Sequence, residues 1–168
     1  MRVTTSAGQA LSMSGDDTGA EEVLRQIARL PGTGGSWNLA IFLPEIARSA
    51  IRVGRPEIGR ELASGVDDSA PYRRRGLAAA EALLLEADGR HEEAAKAFAD
   101  VGSEYGELGF VYEAAMARLG EGRCLVALGR SGSEEPLRKA REFFVGVRAT
   151  PFIAECDDLL GKAVALSS

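Results

Sequence analysis

The stretch GRHEEAAKAFADVGSEYGEL, residues 89–108, decides the fold. Within it Ala94, Phe98, Val101, Tyr105 and Leu108 recur at spacings of 4, 3, 4 and 3. That rhythm places five apolar side chains on one face of a helix and excludes a strand, whose period is two. Gly89 precedes the helix, where it suits the end of an earlier one. A residue just past a helix often turns left-handed, and glycine does so without a Cβ clash. Glu92 suits the positive end of the helix that follows.

The same opening, a glycine and then a charged residue, recurs as Gly15-Asp16, Gly54-Arg55 and Gly129-Arg130. The steps are 39, 35 and 40 residues (15 to 54, 54 to 89, 89 to 129). Each site lies between two stretches of helical pattern. A short turn between helices makes them antiparallel neighbours. The prediction is an all-α chain, an α-α superhelix of antiparallel helix pairs, about four pairs plus a closing helix. One helical-repeat domain spans residues 1–168, with residues 1–17 frayed or partly disordered.

A short helix is predicted over Val3–Met13. Thr18 starts the next, in capping-box spacing with Glu21, with Leu24, Ile27 and Leu30 inward. Ser36 or Trp37 opens a third, with Leu39, Leu43, Ile46 and Ala50 inward. Pro44 interrupts it and predicts a kink, or else a start near Leu43. Ile58 and Leu62 mark its partner, and Leu77, Ala80 and Leu84 the helix opened by Pro71. Ala115, Leu119, Gly122 and Val126 line another helix. Leu137, Ala140, Phe144 and Val147 line the one that Ser133 caps. Thr150-Pro151 starts the last. Its polar side, Glu155, Asp158 and Lys162, reads as the cap of the stack.

Apolar residues make up 45% and charged residues 27%, a globular rather than a disordered balance. Aromatics are only 6% while Ala and Gly abound, so close helix–helix contacts replace an aromatic core. The formal net charge of -5 opposes general attraction to nucleic acid or to an anionic membrane. Residues 1–17 have no continuous apolar run and are not expected to be a secretory signal, and no apolar run is long enough to cross a bilayer. Cys124 and Cys156 lack metal-like spacing and read as buried free thiols in a reducing compartment. The expected location is cytoplasmic.

The stretch Gly89–Phe98 resembles the tetratricopeptide repeat. A turn residue is followed by a small residue five positions later, Ala94, and by an aromatic four after that, Phe98. Ala82, Gly122 and Ala47 supply the small residue that the pattern places seven before the turn. After Gly54 the small place holds Gly59 and the aromatic place holds Ala63. After Gly129 the insertion Ser131-Gly132-Ser133 stretches the spacing. A narrower resemblance runs through Arg118–Arg130 and Ala149–Glu155. It is to the helical C-terminal region of large actinobacterial-type regulators that carry an ATPase module, with a nucleotide-cyclase or DNA-binding domain in some. The resemblance implies a module of a bacterial signalling or transcriptional regulator. It implies no catalytic domain within this chain.

Gly32–Ser36 lacks the lysine of a phosphate-binding loop and reads as a connector. His91 is the only histidine, so a paired-histidine zinc site is excluded. It reads as part of a solvated turn. Tyr72-Arg73-Arg74-Arg75 is the densest basic run and opens a helix, where the dipole disfavours cations. Trp37, Arg48 and Arg52 lie on the helix holding Pro44, with Glu45 set to pair with Arg48. The candidate binding residues are therefore Trp37, Arg48, Arg52, Tyr72 and Arg73. No catalytic, cofactor or metal residue is assigned. The expected role is a non-catalytic interaction scaffold for a protein or peptide, or for other domains of a larger regulator. A small-molecule sensor and a homo-oligomerising module are the alternatives.

Overall fold

The computed structural model describes residues 16–29 and 37–166. The chain divides into two compact units, Met1–Asp88 and Gly89–Ser168. The described residues form eight helices and no strand. The first unit holds α1 (Asp17–Arg29), α2 (Trp37–Arg52), α3 (Pro56–Ser64) and α4 (Pro71–Ala87). The second holds α5 (His91–Glu107), α6 (Val111–Ala127), α7 (Glu134–Gly146) and α8 (Thr150–Leu166). The expected Val3–Met13 helix, Leu30 and the Gly32–Ser36 connector lie outside the described residues.

The turns follow the predicted chemistry. Gly54, Gly89 and Gly129 have φ of 72°, 74° and 63°. Gly109, at 77°, makes a further turn of the same kind. It escaped the sequence pattern because Phe110, not a charged residue, follows it. After α6 the Gly129 N–H donates to the Val126 carbonyl at 3.0 Å and the Arg130 N–H to Leu125 at 3.0 Å. After α5 the pair is Gly109 to Gly106 at 3.1 Å and Phe110 to Tyr105 at 2.9 Å. These are Schellman motifs, which satisfy carbonyls that a helix end otherwise strands. The accompanying apolar contact is present too, with the Tyr105 and Phe110 rings edge-to-face at 6.1 Å. The α7 turn uses Arg148 at φ 57° without a glycine.

In the first unit the core begins with Leu24, Ile27, Leu39, Leu43 and Ile46, all almost fully buried. α1 begins at Asp17, its cap two residues earlier than predicted. Asp16, not Thr18, caps it, its Oδ1 accepting the Gly19 N–H at 2.9 Å. Glu21 is thereby released from the capping box. It accepts instead from Arg25 at 2.7 Å and from Arg55 at 3.0 Å. α2 runs from Trp37 through Pro44, so a start near Leu43 is ruled out.

Proline 44 cannot donate to the Ala40 carbonyl. That carbonyl faces Gly76 of α4, where a Cβ would stand 1.9 Å from the oxygen. Further along, Gly59 of α3 meets both the Ala47 Cα and the Leu84 Cδ2, each at 3.4 Å from a Cβ built there. Passing from Ala40 to Ala47 on α2 therefore passes from Gly76 to Leu84 on α4. The two helices run parallel, with α3 wedged against both.

In the second unit each helix reverses on its predecessor. Phe98 of α5 lies on Gly120 of α6, and Gly102 on Ala117. Tyr112 of α6 meets Phe143 of α7 at 6.4 Å between ring centroids. Lower on the same pair, Gly122 receives Leu137. Phe144 of α7 stacks on Phe152 of α8 at 4.8 Å, while Arg141 pairs with Asp157 at 2.5 Å. Leu119, Leu137, Ala140, Phe144 and Cys156 form the fully buried centre. Arg123 of α6 reaches Glu155 of α8 at 2.8 Å. Glu155 thus belongs to the packed side of α8, not to the outer polar face assigned from sequence. Leu108 and Val147 were expected inward but are 52% and 56% exposed. Each lies one residue past its helix's last turn, where the chain has begun to reverse.

These contacts give opposite signs for two glycine substitutions. Gly76→Ala drives a Cβ into backbone and should destabilise by about 2–3 kcal/mol. Gly161→Ala, in open space on α8, should stabilise by about 0.5–1 kcal/mol through helix propensity. Urea unfolding of the two variants beside the parent chain checks both signs.

Candidate functional site

The basic run at the start of α4 is tied to the loop before it. Asp67 accepts from the Ser69 N–H at 2.9 Å and from the Ser69 hydroxyl at 2.8 Å, closing a turn. Those bonds come first in holding its carboxyl below the usual range, with the nearby Arg73 charge adding to them. Arg73 pairs with Asp67. Its Nε donates to the Tyr72 hydroxyl at 3.2 Å, and its guanidinium lies 5.7 Å from the Tyr72 ring centroid. Arg74 donates to the Asp68 carbonyl at 3.3 Å. The conflict between cations and a helix N-terminus is thus relieved by Asp67, and Tyr72 and Arg73 have local structural work.

On α2, Arg48 pairs with Glu45, as the spacing predicts. Arg52 is exposed in the last turn, where its charge suits the dipole. Trp37 is the first residue of α2, and its side chain lies outside the described residues. Arg48 bonds Glu45 on its own helix and Arg73 bonds Asp67 and Tyr72 in its own segment, so these bonds do not join the α2 and α4 candidates into one constellation.

Cys124 and Cys156 are free and fully buried. Burial, reinforced by Glu155 and Asp157, pushes the Cys156 thiol up to about 11. Such a thiol stays protonated and is a poor nucleophile. His91 is half-buried rather than solvated, with its Nδ1 withdrawn from water. Among the described residues no group of three or more His, Cys, Asp and Glu is placed to hold a metal ion. No described helix is long and apolar enough to cross a membrane.

The charged residues of the turns bind neighbouring acids. Arg55 reaches Glu21, Arg90 donates through Nε to Glu93 at 2.7 Å, and Arg130 reaches Glu92 at 2.8 Å. The α5–α6 turn is different. It exposes Leu108, Phe110, Val111 and Tyr112, at 52%, 48%, 60% and 39%. The Tyr112–Phe143 contact continues this surface to the end of α7, where Val147 is also exposed. Exposed apolar side chains gathered at one end of a unit make this the candidate interaction surface. Sequence periodicity missed it by assigning Leu108 and Val147 to the core. The signal was present in Leu108-Gly109-Phe110-Val111-Tyr112, the one glycine turn of the series flanked by large apolar residues on both sides.

Comparison with protein-family models, curated proteins and solved structures finds no match for the chain.

The buried thiols carry a direct check. In the folded chain neither cysteine should react with a disulfide reagent on the minutes scale, and both should react in denaturant. Above the ordinary thiol range the unfolded chain loses the Cys156 proton first, so stability should fall as pH rises from 9 toward 11. An alkaline series of unfolding curves, compared with Cys156→Ala, measures that fall.

Proposed function

We propose that the chain is a non-catalytic scaffold of the tetratricopeptide-like kind, an α-solenoid of helix pairs that docks another protein. The observation that carries the docking role is the exposed Leu108–Tyr112 surface. Aromatic and aliphatic anchors that are already exposed on a rigid helix end lose little freedom on binding. Supporting the solenoid are the parallel course of α2 and α4 and the closely approached small pair Ala47 and Gly59. These are the small places of the repeat pattern, seven before Gly54 and five after it. A place within a larger bacterial signalling or transcriptional regulator rests on the sequence resemblance alone.

The reading moves the binding surface from the Trp37, Arg48, Arg52, Tyr72 and Arg73 set to the second unit. In affinity capture from cells, the double variant Leu108→Ser/Val111→Ser should lose the specific partners of the parent chain. Arg48→Ala and Arg73→Ala should keep them. Retention of all partners by the double variant, with loss in the arginine variants, would reverse the assignment.

A further inference from the structure

The acidic residues of the second unit divide into two groups. Most are paired within the unit: Glu92 with Arg130, Asp100 with Lys96, Glu135 with Lys139, Asp158 with Lys162. Glu104, Glu107, Glu113, Glu121 and Glu142 have no ion pair among the described residues. Glu104, Glu107 and Glu142 are exposed, and Glu113 and Glu121 are half-buried. Glu121 lies in the second half of α6, while the other four lie at the end of the unit that carries the apolar surface. Glu104 and Glu107 occupy the last turn of α5, Glu113 the first turn of α6, and Glu142 precedes Phe143 near the end of α7.

Two of these positions are electrostatically wrong for an isolated helix. The C-terminal end of α5 already carries the negative pole of the helix, and its last turn has no basic residue. The last turn of α7 likewise has no basic residue, as in α6 and α8. Arg118 extends over Gly106, and Arg148 stands in the α7–α8 turn, so the rim is not wholly acidic. Carboxylates still outnumber cations around an apolar centre. A carboxylate excess that Arg118 and Arg148 offset only in part points to a partner that supplies the remaining positive charge.

We propose that this end of the second unit docks a basic amphipathic segment of a partner protein. The inference rests on the protein-docking reading above and specifies its partner. Apolar side chains of the segment would cover Leu108, Phe110, Val111 and Tyr112. Its Lys or Arg residues would lie over Glu104, Glu107, Glu113 and Glu142 and next to the carbonyl ends of α5 and α7. Anionic lipid and nucleic acid are disfavoured there by the same carboxylates.

The probe is a fluorescein-labelled peptide of about 15 residues with Leu on one helical face and Lys elsewhere, beside an otherwise identical peptide with Glu for Lys. Anisotropy titrations use the full chain. The cationic peptide should bind and weaken with salt, roughly as screening shortens from about 10 Å at 0.1 M. The rim variant Glu104→Gln/Glu107→Gln/Glu113→Gln should weaken it about tenfold. The variant Glu57→Gln/Glu61→Gln/Glu81→Gln, with the same net charge, should leave affinity within about twofold if attraction is local. Equal weakening by both triple variants would overturn the proposal in favour of general attraction. Binding of the acidic peptide as tightly as the cationic one would overturn the basic partner. The docking reading would survive that outcome if Leu108→Ser/Val111→Ser still abolished binding. A concentration-dependent dimer lost in Leu108→Ser/Val111→Ser would assign the surface to a second copy of the chain. Binding of neither peptide overturns the proposal, and the cellular capture experiment then decides the broader reading separately.

Discussion

A helix that must return along itself through a short turn often takes a positive φ just past its end. This one backbone feature organises the second unit. Gly89 precedes α5, Gly109 and Gly129 follow α5 and α6, and Arg148 serves α7. Each of the last three turns donates the same two backbone hydrogen bonds back into its helix. The reversal places consecutive helices side by side, and the small residues then set how near they come. Gly120 admits the Phe98 ring and Gly122 admits Leu137. Small residues thus set the helix approach beside an aromatic cluster of Tyr112, Phe143, Phe144 and Phe152.

The first unit shows the same economy carried into the backbone. Pro44 removes one donor from α2, and the freed Ala40 carbonyl is met by Gly76, a residue with no side chain to exclude it. The proline and the glycine belong to one contact on different helices. Their separation in sequence explains why Pro44 alone looked misplaced. At the other end of α2, Ala47 and Gly59 bring α3 close enough to touch α4 as well. The result is a packing of three successive helices governed by residues that contribute almost no apolar area of their own.

Much of this was legible from sequence, and the failures have identifiable causes. The turns at Gly54, Gly89 and Gly129 were found because glycine and a following charge are a joint signal. Gly109 was lost because that joint signal demanded a charge where Phe110 stands. The inward faces through Phe98 and Tyr105, or through Leu137 and Phe144, were correct because periodicity reports burial inside a helix. It does not report where the helix stops, so Leu108 and Val147 were drawn into the core. The cap on α1 was misread because Thr18 has the better consensus spacing while Asp16 has the carboxylate in reach. Among the candidate site residues, Arg48 with Glu45 was legible as a local pair. The turn that Asp67 closes with Ser69 needed three-dimensional contacts to be recognised.

The parallel course of α2 and α4 about α3 is the geometric claim on which the repeat reading stands. Proton NMR of the folded chain tests it directly through short-range cross-relaxation. The Gly59 α-protons should show cross-peaks to both the Ala47 and Leu84 methyls, and the Gly76 α-protons to Ala40. Cross-peaks joining Ala40 to Leu84 and Ala47 to Gly76 would mean that α2 and α4 run antiparallel. That result would contradict the packing and, with it, the helical-repeat account.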